Sequence, residues 1–331
     1  METRFLGRTG VRISALGFGT MPFGTSADEA TSEALFRRCR EAGINHFDCA
    51  NVYGDGRAEE LLGRFIASER DEVVIATKAY FPTGARGPND RGLSRFHLRR
   101  AVEDSLRRLN TDRIDLFYLH RFDDETALEE TIRGVDDLVS AGKILYLGLS
   151  NFAAWQAMKA IGVAALHGRV APVALQPMYN LAKRQAEVEI LPMAASEDLA
   201  VLPYNPLGGG LLTGRYSVSE RPAEGRLVAN AMYRTRYGDE ANFRIAEAFT
   251  ALARELGHEP ATLAIAWVMA RPGVTAPLIG ARRPEHLEMA LKATEIAMTD
   301  ELEARISALS PTPPPATDRN EETSEHNYGS R

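Results

Sequence analysis

Four side chains that can move a proton lie at or just after the ends of three successive apolar runs in this sequence: Asp48, Tyr53, Lys78 and His120. A nearby ammonium favours a phenolate, so Lys78 is expected to lower the pKa of Tyr53 and make it a usable general acid. Asp48 would hold the lysine through a charge-assisted hydrogen bond. His120 would donate to, or orient, an oxygen that is becoming an alkoxide. The set suits delivery of a proton to a carbonyl oxygen, or the reverse.

Each of these residues also has an ordinary structural explanation. A strand-end lysine such as Lys78 often extends to solvent along its apolar stem. Asp48 is able to cap a following helix, and Tyr53-Gly54 is able to form a turn with a packed ring. A histidine such as His120 often packs without catalysing anything. The joint placement at successive strand ends favours a shared site, and the spacing alone leaves both explanations open.

The elements that must position these residues alternate regularly along the chain. Short apolar runs predict buried parallel strands, and helical periods lie between them. Such a series favours a single (β/α)8 TIM barrel of class α/β over an open doubly wound sheet, which remains the alternative. Barrel enzymes carry their chemistry at the carboxyl ends of the strands. The predicted strands are 15–19, 45–49, 73–78, 114–120, 144–150, 173–177, 200–205 and 276–280.

Further segments complete the predicted layout. Helices are expected within 33–43, 96–109 and 129–142, the first and third closed by glycine. Residues 4–14 suggest a β-hairpin that plugs the amino-terminal mouth of the barrel. Residues 1–310 are expected to form a single domain. Residues 311–331, rich in proline and without large aliphatic side chains, are expected to be a disordered tail.

Composition narrows the possible classes of protein. The formal net charge of −6 argues against a nucleic-acid surface and against a polybasic membrane patch. No signal peptide is visible at the amino terminus, and no apolar run reaches the length of a membrane helix. The two cysteines do not form a disulfide framework. A soluble, cytoplasmic protein is expected.

Longer motifs then resemble a known family. The segment GINHFDCANVYGDGRAEELLG (43–63) resembles the signature of the aldo-keto reductases, in the bacterial branch related to the channel beta subunits. Similar segments follow in the family's order over roughly residues 1–310, among them IATKA, DLFYLHRFD, GKILYLGLSNF, PYNPLGGGLLTGRY and PLIGARRPEHL. The resemblance implies a (β/α)8 barrel with long substrate loops. It also implies a nicotinamide cofactor and catalytic roles for Asp48, Tyr53, Lys78 and His120.

The family binds its cofactor without a Rossmann loop. In agreement, GFGTMPFG (17–24) has Pro22 in place of the third glycine of that motif and lacks the lysine of a phosphate loop. The resemblance implies that Ser150, Asn151 and Gln176 bind the carboxamide and that Tyr204 stacks on the nicotinamide. The other implied contacts are Gly19, Thr20, Met21 and Asp48 near the nicotinamide, the turn residues Asn205, Pro206, Leu207, Gly208 and Gly210, and Gly280, Arg282, Arg283 and His286.

The two adjacent arginines, Arg282 and Arg283, precede a predicted helix that begins near Pro284. Guanidinium groups and a helix amino terminus both suit a phosphate, so NADP(H) is predicted over NAD(H). Two solvated surface arginines are the alternative. The chain departs from the family pattern in this helix, where His286, Met289 and Ala290 replace the usual Gln and Glu-Asn.

The predicted reaction is NADPH-dependent reduction of an aldehyde, ketone or sugar, and a small carbonyl compound is the predicted partner. The alternative is a cofactor-binding regulatory or sensor subunit. Channel-associated members of the family carry a residue other than histidine at the position of His120, so the histidine here favours the enzyme. A metal-dependent or lyase barrel is a weaker alternative, since no ligand pattern for a metal is present. The residues expected to wall the substrate pocket are Phe23, Tyr80, Phe81, Phe122 and Tyr179.

Overall fold

Eight parallel strands surround one axis in the computed structural model, which describes residues 1–84, 87–319, 321 and 324. All eight predicted strands are confirmed, and those near the ends of the sheet are shorter than expected. The strands are near-continuously buried, as parallel strands covered on both faces must be. They are β3 (Gly17–Gly19), β4 (His46–Asp48), β5 (Val74–Ala79), β6 (Ile114–Leu119), β7 (Ile144–Ser150), β8 (Pro172–Gln176), β9 (Ala200–Val201) and β10 (Leu278–Ile279).

The sheet closes into a barrel between β9 and the segment that leads into β10. The ladder order places these two strands at opposite ends of the sheet. Backbone hydrogen bonds nevertheless join them, from the Leu278 N–H to the Pro203 carbonyl at 2.9 Å and from the Thr275 N–H to the Val201 carbonyl at 2.8 Å. The predicted (β/α)8 barrel is therefore confirmed over the open sheet.

Helices surround the strands, and local residue choices set their ends. The first helix begins earlier than predicted because the Asp28 side chain accepts from the Thr31 N–H and caps it. Gly43 and Gly142 follow the first and fourth helices with φ of 83° and 71°, which glycine adopts without strain. The helices are α1 (Glu29–Glu41), α2 (Arg57–Phe65), α3 (Arg95–Leu109), α4 (Leu128–Ser140), α5 (Ala154–Leu166), α6 (Ile190–Ser196), α7 (Arg226–Ala229), α8 (Ala231–Tyr237), α9 (Glu240–Glu255), α10 (Pro260–Ala270), α11 (Pro284–Leu291) and α12 (Asp300–Ser307).

The predicted amino-terminal hairpin is present as β1 (Thr3–Phe5) and β2 (Arg12–Ser14), which pair antiparallel. Leu6 and Ile13 are fully buried and pack with side chains of the barrel interior such as Leu116 and Leu202. The hairpin therefore closes the end of the barrel opposite the carboxyl ends of the strands.

Two segments lie outside the strand–helix alternation. The long insertion at 215–240 contains the two short helices α7 and α8. Residues 311–319 have no helix or strand and are mostly exposed. The rest of the predicted tail lies largely outside the described residues, as do positions 85 and 86 of the loop over 80–94. The domain boundary at 310 stays a prediction.

Candidate active site

The four predicted catalytic residues meet at the carboxyl end of the barrel. Asp48 ends β4, Lys78 lies in β5 and His120 follows β6, so adjacent strands carry them to one rim. Tyr53 begins a short 3-10 turn after β4. The Lys78 ammonium lies 5.3 Å from the centroid of the Tyr53 ring, and the Tyr53 and His120 ring centroids are 6.3 Å apart.

Lys78 and Asp48 form a buried ion pair beneath this rim. Lys78 is fully buried, and its Nζ donates to Oδ1 of Asp48 at 2.5 Å and to the Cys49 carbonyl at 2.7 Å. The Nε2 of Gln176 donates to the other carboxylate oxygen at 2.7 Å. A buried charge is tolerated only when it is paired and hydrogen-bonded, and both charges here are. The expectation that Asp48 holds Lys78 agrees with this geometry.

Tyr53 departs from one expectation. Burial, with a smaller contribution from the negative charge of Asp48, raises the pKa of its phenol well above the ordinary value. The lysine was expected to lower this pKa, but its charge is balanced at close range by Asp48. Tyr53 is therefore held protonated near neutral pH.

His120 lies across from Tyr53, with an edge-to-face contact to Phe81 at 5.3 Å between ring centroids. Burial, and then the positive charge of Lys78, lowers its pKa to about 3. The ring is therefore neutral near pH 7, and one of its nitrogens carries a proton. Its Nδ1 is buried and has no hydrogen-bond partner within the described part of the chain.

A polar network connects His120 to the next strands. The Asn151 side-chain nitrogen donates to the His120 carbonyl at 2.9 Å and to the Ser150 hydroxyl oxygen at 3.1 Å. The Tyr204 hydroxyl donates to the Asn151 side-chain oxygen at 2.7 Å. Ser150, Asn151, Gln176 and Tyr204 all line the same cleft.

The glycine-rich turn after β9 is held open by side-chain hydrogen bonds. Asn205, at a φ of 65°, accepts from the Gly209 N–H at 2.6 Å and donates to the Tyr237 hydroxyl at 2.7 Å. A Cβ at Gly209 would lie 2.5 Å from the Tyr233 ring, so only glycine fits beneath α8. Asn180 donates to the same Tyr237 hydroxyl at 2.9 Å.

Several positively charged side chains lie close together around His286, at a distance from Tyr53 and His120. Burial lowers the pKa of His286, and the nearby charges of Arg283, Arg282 and Arg215 add to the effect. In the described part of the chain none of these three arginines is ion-paired with a carboxylate. His286, Met289 and Ala290, the positions that depart from the family pattern, also line this end.

One cleft of about 1060 Å³ runs from the rim that carries Tyr53 and His120 to these arginines. Three of the predicted catalytic and cofactor residues, Lys78, Thr20 and Gly208, are buried and do not line it. Thr20 instead donates to the Asp48 carbonyl from its backbone and its hydroxyl. The predicted residues that do line the cleft are Gly19, Met21, Asp48, Tyr53, His120, Ser150, Asn151, Gln176, Tyr204, Asn205, Pro206, Leu207, Gly210, Gly280, Arg282, Arg283 and His286.

The five residues predicted to wall the substrate pocket lie in two different places. Phe81 and Phe122 line the cleft. Phe23 is fully buried against Phe18, and Tyr179 is fully buried with its ring stacked on Trp267, so both belong to the core. Tyr80 is also buried, and its ring packs against Phe81 without reaching the cleft. Apolar spacing alone does not distinguish a pocket aromatic from a core aromatic.

Several residues of the site were not found from the sequence. Tyr118, in β6, places its ring 5.7 Å from the Lys78 ammonium, beneath the catalytic rim. Gly148 of β7 makes room for it, because a Cβ there would lie 2.4 Å from that ring. Tyr237 and Asn180 support the glycine-rich turn from below. The glycine inside the strand pattern at 148 was the available signal, since it marks a close approach.

Neither a metal centre nor a membrane span is evident in the described residues. No group of three or more metal-ligating side chains is suitably placed there. None of the helices in that part of the chain combines the length and the hydropathy needed to cross a membrane.

The closed parallel barrel places the protein in the class of (β/α)8 barrels, and it carries an acid, a phenol, an amine and an imidazole at the rim where barrel enzymes have their active sites. Comparison with known proteins makes this specific. Residues 15–311 match the model of the Aldo/keto reductase family, and the chain belongs to that family.

Relatives in this family carry different descriptions. An uncharacterized oxidoreductase of Bacillus subtilis, YrpG, is 40% identical over 95% of this chain and 97% of its own length. A protein of Oryza sativa subsp. japonica described as a "Probable voltage-gated potassium channel subunit beta" is 36% identical, covering 96% of this chain and 99% of its own. The L-glyceraldehyde 3-phosphate reductase of Escherichia coli O157:H7 is 33% identical over 88% of this chain and 87% of its own.

Proposed function

We propose that this protein is an NADPH-dependent oxidoreductase that reduces the carbonyl group of an aldehyde, ketone or sugar to an alcohol. The observation that carries the proposal is the catalytic rim. A protonated Tyr53 and a neutral His120 face each other above the buried Lys78–Asp48 pair, at the wall of one long cleft. Family membership and relatives described as oxidoreductases support this class of reaction.

Tyr53 is the proposed general acid. Its raised pKa keeps the proton on the phenol until a stronger base appears, and an oxygen that is becoming an alkoxide is such a base. As the proton leaves, the Lys78 ammonium, 5.3 Å from the ring centroid, attracts the phenolate, and Asp48 reduces this attraction without removing it. In alcohol oxidation the same phenolate would take the proton back.

His120 is the proposed second donor to the substrate oxygen. Its pKa of about 3 keeps the imidazole neutral, so it offers an N–H without adding a charge that would compete with the proton on Tyr53. Asn151 fixes the segment that carries it by donating to the His120 carbonyl. Tyr53 and His120 together would orient the carbonyl in one direction.

The cleft residues fit a nicotinamide dinucleotide phosphate, which supplies the hydride when it is bound. Ser150, Asn151 and Gln176 offer amide and hydroxyl groups beside a flat ring, Tyr204, on one wall. Gly209 and Gly210 of the glycine-rich turn line the cleft, and a backbone without side chains allows a pyrophosphate to approach closely there. Arg282 and Arg283 precede α11 at the other end and form no ion pair with a carboxylate among the described residues. This end favours NADP(H) over NAD(H).

A cofactor-binding regulatory or sensor subunit is the second candidate, because one relative is described as a channel subunit beta. The presence of His120 beside Tyr53 favours the enzyme.

Two free, buried cysteines are consistent with a reducing compartment, and we propose a cytoplasmic location.

The test is a panel of aldehydes, ketones and sugars incubated with NADPH or NADH and followed by the loss of reduced-cofactor absorbance. Carbonyl-dependent oxidation of NADPH, faster than that of NADH, is expected. Tight NADPH binding without turnover of any carbonyl would instead support the sensor subunit.

A further inference from the structure

Two loops next to His120 carry the phenylalanine side chains that line the cleft. Phe81 lies in the loop after β5, and its ring centroid is 5.3 Å from that of His120. Phe122 lies in the loop after β6, and its ring contacts Phe152 at 5.4 Å and Trp155 at 5.8 Å. The shape of the wall beside the reacting carbonyl therefore depends on how these two loops are held together.

The buried carboxylate of Asp123 joins the two loops. Its Oδ2 accepts from the Leu93 N–H at 2.7 Å and from the Thr126 hydroxyl at 2.7 Å, while its Oδ1 accepts from the Glu125 N–H at 3.1 Å. Leu93 belongs to the loop of Phe81, whereas Glu125 and Thr126 belong to the loop of Phe122. Asp123 itself is only 5% exposed.

The backbone of the first loop is shaped to admit this carboxylate. Gly92 has a φ of +86°, and a Cβ there would lie 2.9 Å from the Asp123 Oδ2. The Gly92 N–H donates to the Tyr80 carbonyl at 2.8 Å, so the loop closes next to Phe81. The Thr131 hydroxyl of α4 donates to the Leu93 carbonyl at 3.1 Å and anchors the same point.

The carboxylate is ionised near neutral pH. Burial alone would raise the pKa of Asp123, but hydrogen bonds from Thr126, Leu93 and Glu125 outweigh it and hold the pKa below its ordinary value. Hydrogen bonds from three donors to a charged carboxylate hold the two loops together more strongly than hydrogen bonds to a neutral group would.

We propose that Asp123 is a positioning residue for the substrate: it holds the loops of Phe81 and Phe122 in register, and so sets the affinity for the carbonyl compound and the preference for its size. Asp123 does not line the cleft and acts through the two aromatic side chains. The proposal rests on the proposed reductase function.

The test compares Asp123→Asn with Thr126→Val and a control. The Asn side chain directs an amide nitrogen at one of the donors, and the Val side chain removes one donor while keeping the shape. Asp112→Asn is the matched control, since Asp112 has a side chain 89% exposed before β6. Full-length variants are assayed with NADPH and two aldehydes, benzaldehyde and propanal.

Asp123→Asn is expected to raise the KM for benzaldehyde by roughly tenfold, because one hydrogen bond to a charged group is lost. Thr126→Val should raise this KM by less. In both variants, the ratio of kcat/KM for benzaldehyde to kcat/KM for propanal should fall. The Kd for NADPH should stay within about twofold of wild type. An unchanged KM in both variants, or an equal weakening of NADPH and aldehyde, would overturn the proposal.

Hydrogen–deuterium exchange gives a second readout that does not depend on turnover. Faster exchange confined to residues 80–94 and 121–126 in Asp123→Asn supports the proposal, and exchange identical to wild type contradicts it. A wild-type protein that reduces no carbonyl would contradict the proposed function, while the exchange result would still decide whether Asp123 joins the loops.

Discussion

Gln176 of β8 donates from its side-chain nitrogen to Oδ2 of Asp48 of β4, across the barrel, at 2.7 Å. The other oxygen of Asp48 accepts from Lys78 at 2.5 Å. Both oxygens of a carboxylate only 2% exposed are therefore satisfied, and the buried charge is stabilised from two sides. Gln176, expected from the resemblance to contact the cofactor, thus also helps to hold the carboxylate that is paired with Lys78.

Replacement of Asp48 by Asn should leave the Lys78 ammonium buried without a counter-charge. Loss of one partner of a buried ion pair costs about 3–5 kcal/mol of unfolding free energy. Urea denaturation of the variant would measure this loss. The double variant Asp48→Asn/Lys78→Met should regain part of that loss. As a control, Arg37→Gln breaks an exposed pair with Glu33 and should change stability by less than about 1 kcal/mol. A single variant as stable as this control would show that the pair is not buried as described.

Tyr53→Phe should lose carbonyl reduction because the substituted ring has no proton to give. A fall in kcat of about 10²-fold or more is expected, with the Kd for NADPH close to that of wild type. Tyr146→Phe serves as the control, since Tyr146 lies in β7 and does not line the cleft. Wild-type turnover in Tyr53→Phe would mean that another group delivers the proton.

Replacing Arg282 and Arg283 together by Ala should weaken NADPH more than NADH, because the guanidinium groups are proposed to bind the extra phosphate. Loss of one charge-assisted hydrogen bond costs about 1.5–3 kcal/mol, so at least a tenfold rise in the Kd for NADPH is expected. Fluorescence titration with both cofactors measures this. Arg305→Ala, which removes an exposed pair with Glu255, should change neither Kd. Equal losses for NADPH and NADH would show that the arginines do not bind that phosphate.

His120 should make the fold less stable in acid. Its pKa falls from 6.5 to about 3 on folding, so between these values the unfolded chain binds a proton that the folded chain does not. Stability is then lost as the pH falls, by up to about 3 kcal/mol between pH 7 and pH 4 from this group. His120→Asn should lose less stability than wild type over that range in urea denaturation. His46, also buried with a lowered pKa, is present in both chains and cancels from the comparison. Identical pH profiles would contradict the lowered pKa.

Gly148→Ala should destabilise the barrel, because its Cβ would lie 2.4 Å from the ring of Tyr118. Overpacking of this kind costs about 1–3 kcal/mol, and it should also disturb turnover by moving the ring toward Lys78. Gly162→Ala is the matched control, since it lies within α5 with nothing within 4 Å, and there alanine should stabilise by about 0.5–1 kcal/mol. Thermal denaturation that ranks the two variants the other way would contradict the packing.

Much of the fold was predictable from local pattern. The eight apolar runs specified strands because parallel strands buried on both faces have few polar positions. The glycines at 43 and 142 marked helix ends because those positions have positive φ. The two strands next to the closure, β9 and β10, are shorter than the predicted 200–205 and 276–280, because Pro203 and Pro277 have no N–H to donate to a ladder.

The sequence by itself determined the kinds of groups at the rim and the order in which the strands deliver them. It did not determine their protonation, because pKa depends on burial and on charges that come from distant segments. Tyr53 illustrates this, since the direction of its shift is opposite to the expectation. The core positions of Phe23 and Tyr179 and the link from Asp123 to Leu93 were likewise decided only by tertiary structure. In each case the physical reason is contact between residues far apart in the chain, which local spacing does not encode.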